Sequence, residues 1–313
     1  MIADYSRRVR RYHAYAGSLL AILILTIFTG CSDNTVSTKK SQPDHTPPPV
    51  LNFTAIPDQN STELAEKFAP LAAHLSNELD IAVNYIPARD YQASVEMFRN
   101  GDVQLAWFGG LTGVQAREAV PSARAIAQGA SDPVYFSYFI AHESTGIALG
   151  EDFPSGISAL RFTFGSESST SGRLMPEFFI RDATGKSPMD FFTNPVGFSS
   201  SHDKTVELVE SGQYQLGAVN YKVYDRRGKE GSTDPDVAKI VWKTPTYADY
   251  NWTAHPDVEK MFGQGFTDRL QTALISIDNP SLLSALPRER LIAATNEEFE
   301  GIRVVAKQLE MIR

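Results

Sequence analysis

The 313-residue sequence contains one cysteine and fewer basic than acidic side chains, 29 against 37. A single cysteine excludes an internal disulfide, so the folded part of the chain must be stabilised by a hydrophobic core. The deficit of positive charge makes nucleic acid and anionic lipid headgroups poor partners for the surface. No apolar run reaches the length of about 20 residues that a membrane-spanning helix requires. A globular fold without a nucleic-acid partner is therefore expected.

The first 30 residues have the composition of a secretory signal peptide. Four arginines precede a short apolar segment, residues 19–28, which is followed by Thr29-Gly30-Cys31. Such a segment is too short for a membrane span and is typical of a cleaved signal. Cys31 stands where a lipoprotein signal peptidase leaves a lipid-modified N-terminus, although Phe28 replaces the usual leucine. We predict a lipoprotein signal peptide at residues 1–30 with lipidation at Cys31; an incidental cysteine beside an ordinary cleavage site is the alternative.

The mature chain is acidic and begins with a polar segment. Its formal net charge of −8 becomes −11 when the four arginines and one aspartate of residues 1–30 are removed. Residues 31–49 are rich in Ser, Thr, Lys and Pro and end in three prolines, so they can bury little apolar surface. We predict a disordered tether over residues 31–49. An acidic protein that binds an anion must do so with local dipoles in a closed cleft.

From Val50 onwards, apolar segments with strand patterns alternate with segments of helical period. Asn60 and Glu63 have capping-box spacing, and apolar residues then recur every three or four positions as far as Leu79. Strands separated by helices indicate an α/β fold with mostly parallel sheets. The predicted strands are residues 51–55, 81–86, 103–107, 123–127, 134–140, 161–164, 194–198, 215–219 and 238–242. The predicted helices are residues 60–79, 91–99, 174–182, 203–210, 221–227 and most of 258–313.

Two similar α/β series are separated by a stretch with three glycines, residues 142–156. We predict a first lobe from residues 51–143 with 246–313 and a second lobe from residues 144–245. Two lobes joined by two crossovers form a hinged cleft, and the loops that follow parallel strands face into it. Ligand binding by closure of the cleft is the expected mechanism.

A run of hydroxyl residues, Ser168 to Gly172, follows a predicted strand and precedes a predicted helix. The first N–H groups of a helix lack intrahelical partners and lie at the positive end of the helix dipole, so they can hold an anion without a cationic side chain. A tetrahedral oxyanion fits this arrangement. Ser and Thr are also preferred helix caps, so ordinary capping is the competing interpretation.

Five segments, in order along the chain, resemble the phosphate/phosphite/phosphonate-type substrate-binding proteins of bacterial ABC importers. They are Ile56-Pro57-Asp58-Gln59-Asn60, Asp90-Tyr91, residues 101–109, Ser169-Thr170-Ser171-Gly172 and Ser201-His202. The resemblance covers residues 51–313 and implies a two-lobed, type 2 periplasmic-binding-protein fold with two doubly wound sheets and a two-crossover hinge. The string at residues 107–113 is similar to the subgroup assigned to selenate transport.

By position in the family, the resemblance implies a set of ligand-binding residues: Tyr91, Ser169, Thr170, Ser171, His202, Asp249, Asp58 and Thr112. Hydroxyl and imidazole groups can donate hydrogen bonds to an oxyanion. A carboxylate beside an anion needs a proton between them, so Asp249 favours protonated phosphite, phosphate or phosphonate over selenate or sulfate. Plainer interpretations stay open. Tyr91 can be a packing residue and His202 a helix cap, and the match to the family around Asp249 can be shifted by one residue. Trp107 is expected in the core.

Two departures from the family pattern bear on the size of the ligand. Leu111-Thr112-Gly113 replaces a segment in which many members carry a tyrosine. Asn220-Tyr221-Lys222 stands where aminoalkylphosphonate binders place an acid for the ammonium group. The resemblance therefore implies a small inorganic oxyanion rather than an aminoalkylphosphonate.

The resemblance also implies a binding protein without a metal or organic cofactor, which we expect to be a monomer that meets an ABC permease in the inner membrane. A lipid on Cys31 would attach it in the periplasm or on the outer face of the cell membrane. An enzyme on the same scaffold is disfavoured because the sequence has no Gly-x-Ser-x-Gly elbow and no His/Asp cluster with metal-ligand spacing. A sensory lipoprotein that binds the same oxyanion is a further alternative.

Overall fold

Two mixed β-sheets with helices packed against them make up residues 47–312, the part of the chain that the computed structural model describes. The predicted signal peptide at residues 1–30, the lipidation of Cys31 and the tether as far as residue 46 lie outside the described residues. Residues 47–49 are exposed and precede the first strand. Within the described residues, no helix is long and apolar enough to cross a membrane.

Strands and helices alternate along most of the described chain. In chain order the strands are β1 (Val50–Ala55), β2 (Ala82–Tyr85), β3 (Leu105–Phe108), β4 (Arg124–Gly129), β5 (Ser137–His142), β6 (Phe162–Phe164), β7 (Gly197–Phe198), β8 (Leu216–Asn220), β9 (Ala238–Lys243), β10 (Asn251–Ala254) and β11 (Leu291–Ala293). The helices are α1 (Ser61–Leu79), α2 (Tyr91–Arg99), α3 (Gly110–Ala119), α4 (Met175–Thr184), α5 (Pro188–Phe191), α6 (His202–Glu210), α7 (Tyr221–Lys229), α8 (Asp257–Phe262), α9 (Phe266–Ile275) and α10 (Glu300–Gln308). A π-helical turn, Thr170–Leu174, leads into α4.

Each lobe is built around one sheet. The first has the strand order β11-β4-β10-β3-β1-β2 and the second has the order β7-β6-β8-β5-β9. In the first sheet β10 and β11 are antiparallel to their neighbours, and in the second sheet β5 is. The sheets are therefore mixed rather than mostly parallel. Strands β5 and β10 follow directly on the two crossovers, so each enters its sheet at the hinge and runs away from it, whereas the strands beside them run towards the hinge.

The position of β5 corrects the predicted lobe boundary at residue 143. This strand pairs with β8 and β9 of the second sheet, so residues 137–142 do not belong to the first lobe. The crossover precedes β5, and there Tyr135 and Tyr247 exchange two backbone hydrogen bonds of 2.9 Å. An apolar strand pattern does not reveal which sheet the strand joins. The sequence reasoning therefore placed the boundary at the glycine-containing stretch after the strand instead of before it.

Helix α1 shows how the sequence builds the core of the first lobe. The apolar residues that recur along it are buried, and Phe68 stacks on Tyr85 of β2 with ring centroids 4.6 Å apart. Asn60 caps the helix, since its Oδ1 accepts from Thr62 and Glu63 N–H at 3.0 and 3.3 Å. The other half of the predicted capping box does not form, because Glu63 pairs with Lys67. Burial of such an apolar face stabilises the fold by about 25 cal/mol per Å².

The C-terminal part differs from the prediction of an almost wholly helical segment over residues 258–313. Strand β11 interrupts the helices there and pairs antiparallel with β4. It is only three residues long, Leu291–Ala293, so no alternation of period two can be read from it. Its pairing places the following helix, α10, against α3 of the cleft.

Candidate functional site

The N-terminus of α3 lies where the two lobes meet. Gly110 N–H donates to Asp249 Oδ1 at 2.8 Å, and Leu111 N–H donates to Thr170 Oγ1 at 3.0 Å. The second bond joins the first lobe to the second, so the lobes are closed on each other. A Cβ atom at Gly109 would lie 3.1 Å from Thr170 Oγ1 and 3.3 Å from Asp249 Oδ1. Glycine at this position therefore permits the close approach.

The hydroxyl run forms a buried turn at the same place. Ser169, Thr170 and Ser171 are 2%, 2% and 1% exposed. Ser169 Oγ accepts from Gly172 N–H at 2.9 Å and caps the π-helical turn. Capping thus accounts for Ser169, but it does not account for the burial of the next two hydroxyls. Thr170 faces Leu111 of the first lobe, and Ser171 faces His202.

His202, the first residue of α6, is buried against this turn. Its Nε2 lies 3.5 Å from both Ser169 Oγ and Ser171 Oγ. Its Nδ1 accepts from the backbone N–H of Asn220 at 3.3 Å. Burial lowers the pKa of His202 to about 3, so the imidazole is neutral at physiological pH. Because Nδ1 is an acceptor, the single ring proton is on Nε2, and His202 donates towards the hydroxyl turn.

Two polar atoms in this region have no hydrogen-bond partner within the described residues, Tyr91 Oη and Asp249 Oδ2. Buried polar atoms of this kind are uncommon in folded proteins and point to a ligand. Burial is the largest cause that raises the pKa of Tyr91 well above its ordinary value. The negative charges of Asp58 and Asp249 add to this rise, and the Ser169 hydroxyl opposes it. Burial likewise raises the pKa of Asp249 to about 7, against the lowering effect of its bonds to Gly110 and Thr170. Near pH 7 Asp249 is therefore present in both its protonated and its ionised form.

Asp58 and Thr112 lie beside this cluster, but their polar atoms are used elsewhere. Asp58 Oδ2 accepts from Tyr250 Oη at 2.8 Å, and its backbone carbonyl accepts from His202 N–H at 3.2 Å. Burial raises the pKa of Asp58 to about 6. Thr112 Oγ1 donates to Gly109 O at 3.2 Å, within the first turn of α3. The structure thus assigns these two residues to the lobe seam and to the helix start, rather than to the hydroxyl turn.

The cluster can bind a tetrahedral oxyanion without a metal. Nε2–H of His202, the Tyr91 hydroxyl and the serine hydroxyls are neutral donors, which suit an oxyanion held in a site of low dielectric constant. Within residues 47–312, no group of three or more His, Cys, Asp or Glu side chains is placed to hold a metal ion. Trp107 lies in the core, as predicted, and stacks on Tyr250 with ring centroids 5.5 Å apart.

Sequence reasoning missed four residues that surround the cluster: Tyr135, Asn220, Tyr250 and Arg288. Asn220 joins the two tyrosines by hydrogen bonds of 2.5 and 2.7 Å, and Arg288 pairs with Asp132. Asn220 left a signal in the sequence, because it directly follows the predicted strand 215–219 at a position where the family pattern changes. Tyr135 fell within the predicted strand 134–140, and Tyr250 and Arg288 belong to the second crossover and to the C-terminal segment, where no sequence signal pointed to them.

Comparisons with known proteins identify the family. Residues 53–299 match the protein family described as ABC transporter, phosphonate, periplasmic substrate-binding protein. The chain belongs to this family. This binding protein is therefore not an enzyme, and the family resemblance drawn from the sequence is confirmed.

Individual relatives extend the match over nearly the whole chain. The binding protein is 38% identical over 280 residues to the probable ABC transporter phosphite binding protein PhnD1 of Prochlorococcus marinus (strain MIT 9301), with 87% of this chain and 94% of the relative covered. It is 25% identical over 276 residues to the phosphate-import protein PhnD of Mycolicibacterium smegmatis, with 85% and 82% covered.

Solved structures confirm the two-lobed, type 2 fold. The structure of Prochlorococcus PhnD1 in complex with methylphosphonate has a TM-score of 0.79 and 38% identity, covering 84% of this chain and 99% of that chain. A binding protein component of an ABC phosphonate transporter from Pseudomonas aeruginosa has a TM-score of 0.71 at 22% identity, covering 83% and 86%. The second likeness shows the fold alone.

Proposed function

We propose that this chain is an extracytoplasmic lipoprotein that captures a small tetrahedral oxyanion between its lobes and presents the closed form to an ABC permease. The observation that carries the proposal is the burial of Nε2–H of His202 against the Ser169 and Ser171 hydroxyls at a closed lobe seam. Tyr91 Oη and Asp249 Oδ2 add two polar atoms that have no hydrogen-bond partner among the described residues. Tyr91, Ser169, Thr170, Ser171, His202 and Asp249 are the ligand residues of this proposal.

The identity of the oxyanion follows from the proton that Asp249 requires. An ionised carboxylate and a fully ionised anion repel each other in a buried site. Phosphite, phosphate and methylphosphonate can bring a proton and so bind beside either the ionised or the protonated form of Asp249, whereas selenate and sulfate bring none at neutral pH and need the protonated form. This argument favours the phosphorus oxyanions and weighs against the selenate resemblance. The names of the relatives, which include phosphite binding and phosphate import, support the same choice.

A small ligand is favoured over an aminoalkylphosphonate. Leu111 is completely buried and has no polar side-chain atom for a substituent. Asn220, which stands where an acid is found in aminoalkylphosphonate binders, has its amide engaged with Tyr135, Tyr250 and the start of α7. Neither position offers a charge to an ammonium group.

Attachment through Cys31 rests on the sequence pattern alone. Growth with a radiolabelled fatty acid tests it: the full-length chain should become labelled, and a Cys31→Ala chain should be exported without label. Label on both chains, or on neither, would contradict lipidation at Cys31.

Loss of oxyanion uptake when neighbouring permease genes are deleted would support transport, and unchanged uptake would favour the sensory alternative.

A thermal-shift panel on the chain without residues 1–30 tests ligand class. A ligand at about one hundred times its dissociation constant stabilises the native state by about 2.7 kcal/mol. We expect midpoint shifts with phosphite, phosphate or methylphosphonate and smaller shifts with sulfate, selenate and aminoethylphosphonate. A selective shift with selenate would remove Asp249 from the ligand contacts. No shift with any of them would overturn the oxyanion proposal.

Thr170→Val supplies a variant of nearly equal volume that lacks the interlobe hydrogen bond to Leu111. We expect its ligand-induced shift to shrink. Thr163→Val is the matched control, because Thr163 is equally buried and its hydroxyl bonds to Phe164 O inside the second lobe. Equal losses in the two variants would indicate a general effect on stability rather than on binding.

A further inference from the structure

Asn220 is held rigidly in the second lobe at the end of β8. Its side chain is 1% exposed, and its Oδ1 accepts from Lys222 and Val223 N–H at 2.8 and 3.2 Å, which caps α7. Its own backbone N–H donates to Nδ1 of His202 at 3.3 Å. The two bonds accepted by Oδ1 fix the orientation of the amide, so Nδ2 must be the donor in its remaining contact.

That remaining contact crosses to the other lobe. Asn220 Nδ2 donates to Tyr250 Oη at 2.7 Å, and Tyr250 Oη donates to Asp58 Oδ2 at 2.8 Å. Tyr135 Oη, from the first crossover, donates to Asn220 Oδ1 at 2.5 Å. Buried hydrogen bonds therefore lead from Asn220 in two directions: from its side chain through Tyr250 to Asp58 in the first lobe, and from its backbone N–H to His202.

The Asn220–Tyr250 bond depends on closure of the lobes. The ring of Tyr250 stacks on Trp107 in the core of the first lobe, so it moves with that lobe. Asn220 and His202 move with the second lobe, because β8 and α6 belong to it. A second bond, from His202 N–H to Asp58 O at 3.2 Å, crosses the same seam. When the lobes separate, both of these bonds must break, whereas the bond from Asn220 N–H to His202 stays within one lobe.

We propose that Asn220 is a positioning residue for oxyanion capture: its backbone N–H keeps His202 in the Nε2–H tautomer, and its side chain ties the second lobe to the first through Tyr250 when the cleft closes. This inference rests on the proposed function and deepens it, because it assigns part of the affinity to a residue that does not touch the oxyanion. A buried hydrogen-bond network of this kind stabilises one arrangement only when every member is satisfied. Each side-chain hydrogen-bonding atom of Asn220 is satisfied here.

Tyr250→Phe tests the bridge, because it removes only the oxygen that joins Asp58 to Asn220. By calorimetry on the chain without residues 1–30, we expect methylphosphonate to bind about tenfold more weakly, which is about 1.4 kcal/mol. Tyr224→Phe is the matched control: Tyr224 is buried and its hydroxyl bonds to Ala238 O within the second lobe. Wild-type affinity in Tyr250→Phe, or an equal loss in both variants, would overturn the bridge.

A double-variant cycle separates positioning from loss of stability. If Asn220 acts through Tyr250, the pair Tyr250→Phe with Asn220→Ala should bind no more weakly than Asn220→Ala alone. Additive losses would mean that the two residues act independently and would overturn the proposed coupling. Chemical denaturation of each variant gives the stability against which the affinities are compared.

The tautomer is measured without any ligand. In protein labelled with ¹⁵N at histidine, the imidazole shifts of His202 should report a neutral ring with the proton on Nε2. A proton on Nδ1 would overturn the tautomer assigned to the backbone N–H of Asn220, and the affinities of the variants decide on the side-chain bridge. A wild-type chain that shows the Nε2–H tautomer but binds none of the oxyanions would instead overturn the proposed function, so the two failures are distinguishable.

Discussion

Arg288 and Asp132 form a buried ion pair at the hinge, with Arg288 Nε 2.8 Å from Asp132 Oδ1 and the two side chains 2% and 0% exposed. Asp132 belongs to the first crossover, and its backbone carbonyl also accepts from Asp249 N–H at 3.0 Å in the second. The guanidinium lies 4.7 Å from the centre of the Tyr250 ring. Arg288 of the C-terminal segment therefore contacts both crossovers, through Asp132 of the first and the ring of Tyr250 in the second.

Removal of the arginine should be costly. Arg288→Ala leaves the Asp132 carboxylate buried without its cation, so we expect the free energy of unfolding to fall by about 3–5 kcal/mol. Arg303→Ala is the control, since Arg303 forms an exposed ion pair with Glu300, and we expect little change in the free energy of unfolding. Urea denaturation of both variants measures the difference. Similar losses in the two variants would contradict a structural role for the hinge pair.

His202→Ala should weaken methylphosphonate binding at least tenfold without unfolding the protein. The reason is the loss of the Nε2–H donor that faces the hydroxyl turn. His142→Ala is the control, because His142 bonds to Ser144 in the second lobe, away from the turn. Calorimetry gives the affinities and circular dichroism checks the fold. Unchanged affinity in His202→Ala would remove this residue from the site.

The affinity for methylphosphonate should fall as pH rises through about 7. The buried Asp249 has its pKa raised to about 7 in the closed protein, so the proton that it shares with the anion is lost above that value. A carboxyl whose folded pKa is raised stabilises the closed state most at low pH and least above the raised pKa. Asp249→Asn keeps the shape and should flatten the affinity profile between pH 6 and 8.5. An equally steep profile in Asp249→Asn would assign the pH dependence to another group.

His202 should contribute nothing to that pH profile. Burial lowers its pKa to about 3, so it stays neutral throughout the range in which Asp249 titrates. NMR titration of the histidine shifts between pH 5 and 8.5 should show His202 unchanged, while exposed model imidazoles change near pH 6.5. A midpoint for His202 inside this range would contradict the neutral donor assigned to it.

Gly109→Ala should hinder closure without disrupting either lobe. The added Cβ would lie 3.1 Å from Thr170 Oγ1 and 3.3 Å from Asp249 Oδ1, which is closer than most such contacts. We expect weaker methylphosphonate binding and a larger radius of gyration by X-ray scattering. Gly301→Ala is the control, because no atom of the described residues outside its own part of α10 lies within 4 Å of its added Cβ. Wild-type binding by Gly109→Ala would show that the seam tolerates the extra carbon.

Periodicity in the sequence was sufficient for most individual elements. Helix α2 begins and ends where predicted, at Tyr91 and Arg99, because its apolar positions repeat with helical spacing and Asp90 caps it. Strand β5 was recognised as a strand but assigned to the wrong lobe, and the short β11 was missed. Hydrogen bonds to distant strands decide both cases, and local patterns carry no information about such partners.

The sequence likewise predicted only part of the candidate site. The turn at residues 169–171 was found from local chemistry, hydroxyls at a helix start, and the positions of His202 and Asp249 came from the family pattern. Their contact with a ligand stays a prediction. Asp58 was grouped with them, but the structure places its carboxylate on Tyr250 at the lobe seam.

The sequence by itself determined the family and the two-lobed α/β fold, because those depend on local periodicity and on segments in a fixed order. Only the tertiary structure decided which nitrogen of His202 carries the proton, that burial raises the pKa of Asp249 to about 7, and that Asn220 joins the lobes. Each of these depends on burial and on contacts between residues far apart in the chain. Arg288 and Asp132 are separated by 156 positions, and only the folded chain brings their charges together.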